Sequence, residues 1–423
     1  MYTAVSGLNA QAAAFTNISD NMANSQTVGF KGTNTSFVDY LTTSTLEQNQ
    51  SGTVASRAAY QNEVQGAVTQ SSDPLGMAIA GQGFFAVSEQ NGTSALGTPQ
   101  FSTQNYYSRA GDFTSSKDGY LVNSAGEYLE GYTVNPATGV ANTSTLVPIQ
   151  VTQSHFAPVP TSTVALVANV PATPTAASNL TAESQIYDGT GSPHQLQTTW
   201  AQTSANNWTL TLASPDNTTG GTTTIGTVAV AFNQNGTLAS LTAPTGALTV
   251  TGSATEGEVQ ISPNFGAGVQ PITLDLGAFN QSNGVTQFAS NDYQITSAAQ
   301  DGAAAGSFTN ISANADGSIV ANYDNGRVIT IAQVPLVTFA NADDLQRQNG
   351  QAFTVSSQSG AAQVENSGLN GAGNLVVGST EASNVDIAAE LTKMIVAQQA
   401  YGANAKVVTA ANELLTTTLG IIQ

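Results

Sequence analysis

Residues 383–423, SNVDIAAELTKMIVAQQAYGANAKVVTAANELLTTTLGIIQ, bring an apolar or small side chain back at Ile387, Leu391, Met394, Tyr401, Ala405, Val408, Leu415, Leu419 and Ile422. The steps are fours and threes. Gln398 and Asn412 fill the two gaps, so a seven-residue period runs for about five heptads. A helix with that period needs another helix along its seam. The opposite end of the chain repeats the pattern at Val5, Leu8, Ala12, Phe15, Ser19 and Met22, with Ile18 beside it. A helix of that length is about 30 Å long and marginal by itself in water. Both ends are therefore expected to be helices covered by other helices, and their seams are candidate assembly surfaces. Ser383, with Asp386 three residues on, is expected to cap the C-terminal helix.

Between the ends the period changes. From about residue 73, short alternating apolar runs are bounded by Asn91-Gly92, Asp118-Gly119, Asp188-Gly189, Asn235-Gly236, Asn283-Gly284, Asp316-Gly317 and Asn325-Gly326, dipeptides that close hairpins. DGSIVANYDNGRVITI and DGYLVNSAGEYLEGYTV read as strand pairs. Residues 148–285 are poor in charge and rich in Thr, with Pro- and Gly-punctuated stretches such as PVPTSTVALVANVPATP. The fold class that follows is mixed: terminal α-helices forming a coiled coil (1–24 and 383–423), with discontinuous all-β middle domains. One domain, 148–285, is inserted into the other, 73–147 and 286–362. Residues 25–72 and 363–382 read as extended connectors.

Only 8% of residues are charged, where a soluble domain carries about a quarter. With 8 basic against 27 acidic residues the net charge is -19, which argues against nucleic acid and anionic membranes as partners. The absence of cysteine excludes disulfides and thiolate chemistry. No stretch of 18 apolar residues occurs, so membrane insertion is not expected. MYTAVSGLNAQAAAFTNISD has neither the basic nor the apolar region of a secretory leader, so the expectation is a cytoplasmic protein or export without a cleaved leader.

Gly81-x-Gly83-x-x-Ala86 superficially matches a dinucleotide turn, but Phe84, Phe85 and Val87 continue as a strand where that turn must open a helix. His155 and His194 lie without ligand spacing and read as exposed loop residues. Asp343-Asp344 reads as part of a capped helical turn rather than a carboxylate pair. No nucleophile, metal or cofactor set can be assembled, so an enzyme is not expected.

SGLNAQAAAFTNISDNMANSQTVGFKGTNTSF at 6–37 and SNVDIAAELTKMIVAQQAYGANAKVV at 383–408 resemble the terminal signatures of bacterial flagellar axial rod and hook proteins. LGMAIAGQGFFAV at 75–87, YSRAGDFTSSKDGYLVNSAGEYLEGY at 107–132, PITLDLGAFNQSNGVTQFAS at 271–290 and residues 301–346 are similar as well. Length and the insert point within that group to the flagellar hook protein family. The resemblance implies a homopolymer, a curved tube that transmits torque from rod to filament and encloses the export channel, with the terminal coiled coil as its inner layer and the inserted domain, 148–285, as the outer of the two β domains. It also implies placement outside the cell on the basal body, export by the flagellar type III apparatus, and contact with a distal rod protein, a hook cap protein and a hook-filament junction protein. A distal rod subunit is the alternative within the group; a surface adhesin or glycan-binding β protein is the alternative outside it, and lacks the need for heptads at both ends.

Overall fold

The computed structural model describes residues 2–44, 49–94, 97–136, 138–173, 180–218, 223–253, 255–266, 268–290 and 292–421. Ile422 of the C-terminal seam lies outside them, and of Leu419 only the backbone is described. The chain is mostly β with a helix at each end, α1 (Tyr2–Ala23) and α2 (Ile387–Ile421). Its described residues divide into two compact units. One comprises Met1–Gln153, Asn310–Asn322 and Val328–Gln423; the other comprises Ser154–Thr309 and Tyr323–Arg327.

In the first unit α1 and α2 run antiparallel, since Gly7 stands against Asn404 and Asn21 bonds Glu390. The cap of α2 differs from expectation. Asp386 Oδ1 accepts the Ala388 and Ala389 N–H groups at 2.8 and 3.2 Å, whereas Ser383 Oγ accepts the Val385 N–H before the helix. Asn384 is held outside the helix by the Gly32 N–H, 2.7 Å from its Oδ1, so the first turn begins beyond it at Ile387.

Residues 25–72, expected as a connector, contain a ribbon of two antiparallel strands, β1 (Thr33–Ser44) and β2 (Asn49–Tyr60). A two-stranded ribbon is marginal unless something covers a face, and α1 lies along it. The Val54 N–H donates to Ser6 Oγ at 3.1 Å, Asn17 Nδ2 to Thr35 Oγ1 at 2.8 Å, and the Thr33 N–H to Asn21 Oδ1 at 2.8 Å. Residues 363–382 likewise carry strands: Asn374–Val377 pairs with Met77–Ala80, and Ser379–Glu381 with Val68–Gln70.

The β body of this unit centres on Phe84–Ser88, which is buried along its whole length. It pairs with Tyr106–Ser108, Tyr128–Thr133 and Leu336–Thr338. The hairpin Ser318–Tyr323/Val328–Gln333 joins where Tyr132 meets Gln333. Phe84, Tyr107, Val337, Leu345 and Phe353 form its core, with Phe84 edge-on to Phe339 and Phe353 at 5.8 and 5.5 Å. The Gly81-containing turn leads into this strand and opens no helix. Ala342–Asp344 is a single 3-10 turn between strands, and its two acids diverge: Asp343 accepts the Glu63 N–H while Asp344 accepts Asn341 Nδ2.

The second unit holds two five-stranded sheets. One is a meander of Leu180–Tyr187, Pro193–Ser204, Asn207–Ala213, Thr224–Phe232 and Leu238–Gly246. In the other, Thr163–Asn169 sits between Ile272–Ala278, to which it is parallel, and Gln294–Gln300. Inward residues alternate along the strands, so Val164, Leu166, Trp200, Trp208, Leu210, Val228, Val259 and Leu274 share one core. His155 is exposed as expected. His194 is not: it lies on a strand, its imidazole 12% exposed and stacked on Phe265 at 4.0 Å, with Asp216 Oδ2 3.0 Å from Nδ1 and Asp188 Oδ2 3.4 Å from Nε2. The carboxylates flanking the ring were separated from it in sequence by turns, which concealed the cluster. Among the described residues no group of three potential metal ligands converges and no helix is long and apolar enough to cross a membrane.

Candidate assembly interface

The helix pair is closed by small side chains. On α1 the buried positions are Ala4, Ala10, Ala14, Ile18 and Asn21. On α2, Glu390 and Ala397 are buried, and Met394, Asn404, Ala405, Val408 and Ala411 are half-buried. A Cβ on Gly7 would stand 2.9 Å from Asn404 Nδ2, so the Asn404 amide packs into the space that the missing side chain leaves. Phe15 and Tyr401 meet edge-on at 6.5 Å. The polar end of the seam is matched: Asn21 Nδ2 donates to Glu390 at 3.3 Å, and Lys393 Nζ donates to Glu390 at 2.6 Å and to Asn34 Oδ1 at 2.8 Å.

The heptad seams straddle this contact. Ile18 is buried; Leu8, Phe15, Met22, Met394, Ala405 and Val408 are half-buried; Val5, Ala12, Ile387, Leu391, Tyr401 and Leu415 are exposed. Beside them lie large aliphatic groups that no seam assignment included: Ile395, Val396, Val407 and Leu414, the last 69% exposed. One side of α2 meets α1 through small residues, and the rest presents Leu391, Ile395, Val396, Val407 and Leu414 outward, while Leu415, 18 residues after Ala397 and so on the same side as it, is exposed beyond the contact with α1. Val396, Val407 and Leu414 fall within about 20° of one line along the helix, and an exposed apolar stripe of this kind marks an interaction site.

A buried ionic joint ties the helices to the β body. Glu381, fully buried, accepts Lys31 Nζ on Oε1 at 2.5 Å and Arg109 Nη1 on Oε2 at 3.1 Å. Lys31 also donates to Val64 O at 2.7 Å, and Arg109 Nη2 to Gly81 O at 2.8 Å, while the guanidinium lies 5.1 Å from the Phe84 ring centre. The Gly66 N–H donates to Glu381 Oε1 at 2.8 Å, and a Cβ on Gly66 would come within 1.9 Å of Ala382 O, so glycine is required. Arg347 covers the next layer, 4.7 Å above Tyr60, bonding Gly32 O and Asn62 Oδ1.

Burial lowers the pKa of Lys31 against the opposing pull of Glu381, and burial likewise lowers that of Arg109. Removing one partner of such a joint would strand a buried charge. Three of the eight basic residues gather here. Motif reading passed over them; the available signal was their isolation inside the uncharged stretches GFKG and YSRAG.

Family models match along the chain: the flagella basal body rod protein at 1–31, the flagellar hook protein FlgE/F/G D1 domain at 78–155, the flagellar basal body protein FlaE D2 domain at 154–303, and the flagellar basal body rod FlgEFG protein C-terminal at 376–421. The flagellar hook protein FlgE of Brucella abortus is 33% identical over 420 residues, covering 98% of this chain and 96% of its own. That of Escherichia coli K12 is 30% identical over 449 residues, covering 99% and 98%. The crystal structure of Helicobacter pylori flagellar hook protein FlgE2 superposes with a TM-score of 0.52 at 14% identity, covering 73% of this chain and 98% of that one, a likeness of fold. With full-length identity at this level and terminal helices around β domains, the chain belongs to the flagellar hook protein family, whose members are structural proteins of the bacterial flagellum.

Proposed function

We propose that this chain acts as a homopolymeric hook subunit: α1 and α2 form the inner layer of a curved tube around the export channel, and the two β units form its outer layers. Its role is torque transmission from rod to filament, with no catalysis. The observation that carries this reading is the set of outward aliphatic side chains of α2, Leu391, Ile395, Val396, Val407 and Leu414, on a helix whose other side already meets α1. Burying each such side chain contributes about 1.5 to 3 kcal/mol, enough over several residues to hold copies together. Copies brought into register by α2 use Val5, Leu8, Ala12, Phe15, Ile18 and Met22 with Ile387, Leu391, Met394, Tyr401, Ala405, Val408, Leu415, Leu419 and Ile422 as an assembly seam.

The ionic joint transmits load between the helices and the β body of the first unit, which we assign as the inner β domain. The second unit, Ser154–Thr309 with Tyr323–Arg327, supplies low-charge contacts that exchange as the tube bends. Export proceeds through the flagellar type III apparatus without leader cleavage, and the tube's ends meet a distal rod protein, a cap and a hook-filament junction protein. Relatives matched over their whole length favour this role over that of a rod subunit or adhesin. Electron microscopy of the purified chain tests it: short curved tubes are expected, and a protein that stays monomeric at high concentration contradicts it.

A further inference from the structure

Between α1, β1 and the first turns of α2 lies a groove of about 460 Å³. Ala14 and Ile18 of α1 line it together with Thr35 and Phe37 of β1 and Val396 and Ala397 of α2. Phe37 and Val396 are 47% and 61% exposed, so the groove is open and largely apolar. Lys393 stands at its edge with two of its three N–H donors used by Glu390 and Asn34.

The same chain carries a segment of matching character. From Asn412 to Thr418 every side chain of α2 is exposed, Leu414 by 69% and Leu415 by 51%, with the single acid Glu413 beside them.

Resting on the polymer role above, we propose that the groove receives the distal turns of α2 from a second copy. Leu414 and Leu415 fill the apolar floor, and Glu413 reaches the remaining donor of Lys393. Lys393 and Leu414 are 21 residues apart on one helix, so the contact relates neighbours by a shift of roughly 30 Å along α2 and about 10 Å sideways. Donor and acceptor surfaces differ and are displaced, so the contact is head-to-tail. A contact of that type propagates to further copies and does not close in a pair.

The chain has no cysteine, which makes a cross-linking test clean. Thr392→Cys with Thr418→Cys in one chain, the latter one turn beyond Leu414 on the same side of the helix, polymerised and treated with a short bismaleimide, is expected to give a ladder of dimers, trimers and higher multiples. A mixture of the two single variants is expected to stop at dimers. Normal tubes without a ladder overturn the seating while leaving the polymer role intact. Failure of the parent chain to form tubes, seen by microscopy before cross-linking, overturns both. As a second measure, Val396→Glu is expected to leave the monomer melting temperature unchanged and to raise the concentration needed for polymer growth at least tenfold. Growth at the parent concentration, as would follow if another partner or a small apolar ligand occupied the groove, contradicts the proposal.

Discussion

At Glu381 one carboxylate compensates two buried cations, Lys31 and Arg109, in a chain with few charges to place. Glu381→Gln leaves them without a counter-charge and is expected to cost roughly 3 kcal/mol. Urea unfolding followed by circular dichroism checks it, and both tryptophans, Trp200 and Trp208, lie in the other unit. Their fluorescence transition should not move; a shift in both transitions, or in neither, contradicts the assignment. Glu127 provides a pH handle on the same unit. Burial raises its pKa to about 7, against hydrogen bonds from Asn123 and Ser108 and with Glu89 and Asp112 adding to the rise. Because the folded pKa is raised, the stabilisation is complete below about pH 4.5 and is lost as pH rises through about 7. The loss across that window is about 3 kcal/mol. Glu127→Gln is expected to flatten the fall of the melting temperature between pH 5 and pH 7; an unchanged slope contradicts this. Neither residue was legible in the sequence. A lone Glu in STEAS or SAGEY carries no periodic signal, and its partners are hundreds of positions away or across a turn.

The two helices were legible as elements because a seven-residue period survives in any reading frame of the text, whereas which side meets which neighbour was not. The buried positions of the pair include Ala10, Ala14 and Ala397, residues whose small size carries little weight in a hydrophobic pattern. The ribbon of β1 and β2 was missed for a related reason. TNTSFVDYLTTS is rich in Thr and Ser, and no Asn-Gly or Asp-Gly marks the reversal between the strands. Exposure along α2 makes its own prediction. Amides from Glu390 to Val408 pack on α1, while those from Asn412 to Thr418 lack cover. Hydrogen exchange on the monomer should show the latter exchanging faster by tenfold or more and becoming protected on polymerisation. Equal protection along the helix before polymerisation contradicts the view that its distal turns await a partner.

Interruption of one β unit by another was readable from the hairpin-rich blocks on either side of a Thr-rich stretch, but where the insert ends was not. Gln294–Gln300 is polar and mostly exposed, yet it pairs with Thr163–Asn169 and belongs with the second unit. Phe156 and Gly306 form an antiparallel bridge, with the Phe156 N–H 2.8 Å from Gly306 O, so the unit's two strands of entry and exit lie side by side. Replacing 157–305 by a short Gly-Ser linker is therefore expected to give tubes that form but lose their normal curvature. Loss of tubes altogether would make the insert part of assembly. The central claim is that the outward aliphatic face of α2 drives polymerisation. Leu391→Asp tests it most directly, because Leu391 is 44% exposed in the single chain and its replacement should change monomer stability little. Electron microscopy of parent and variant at equal concentration should show curved tubes from the first and none from the second. Equal tubes from both would contradict it.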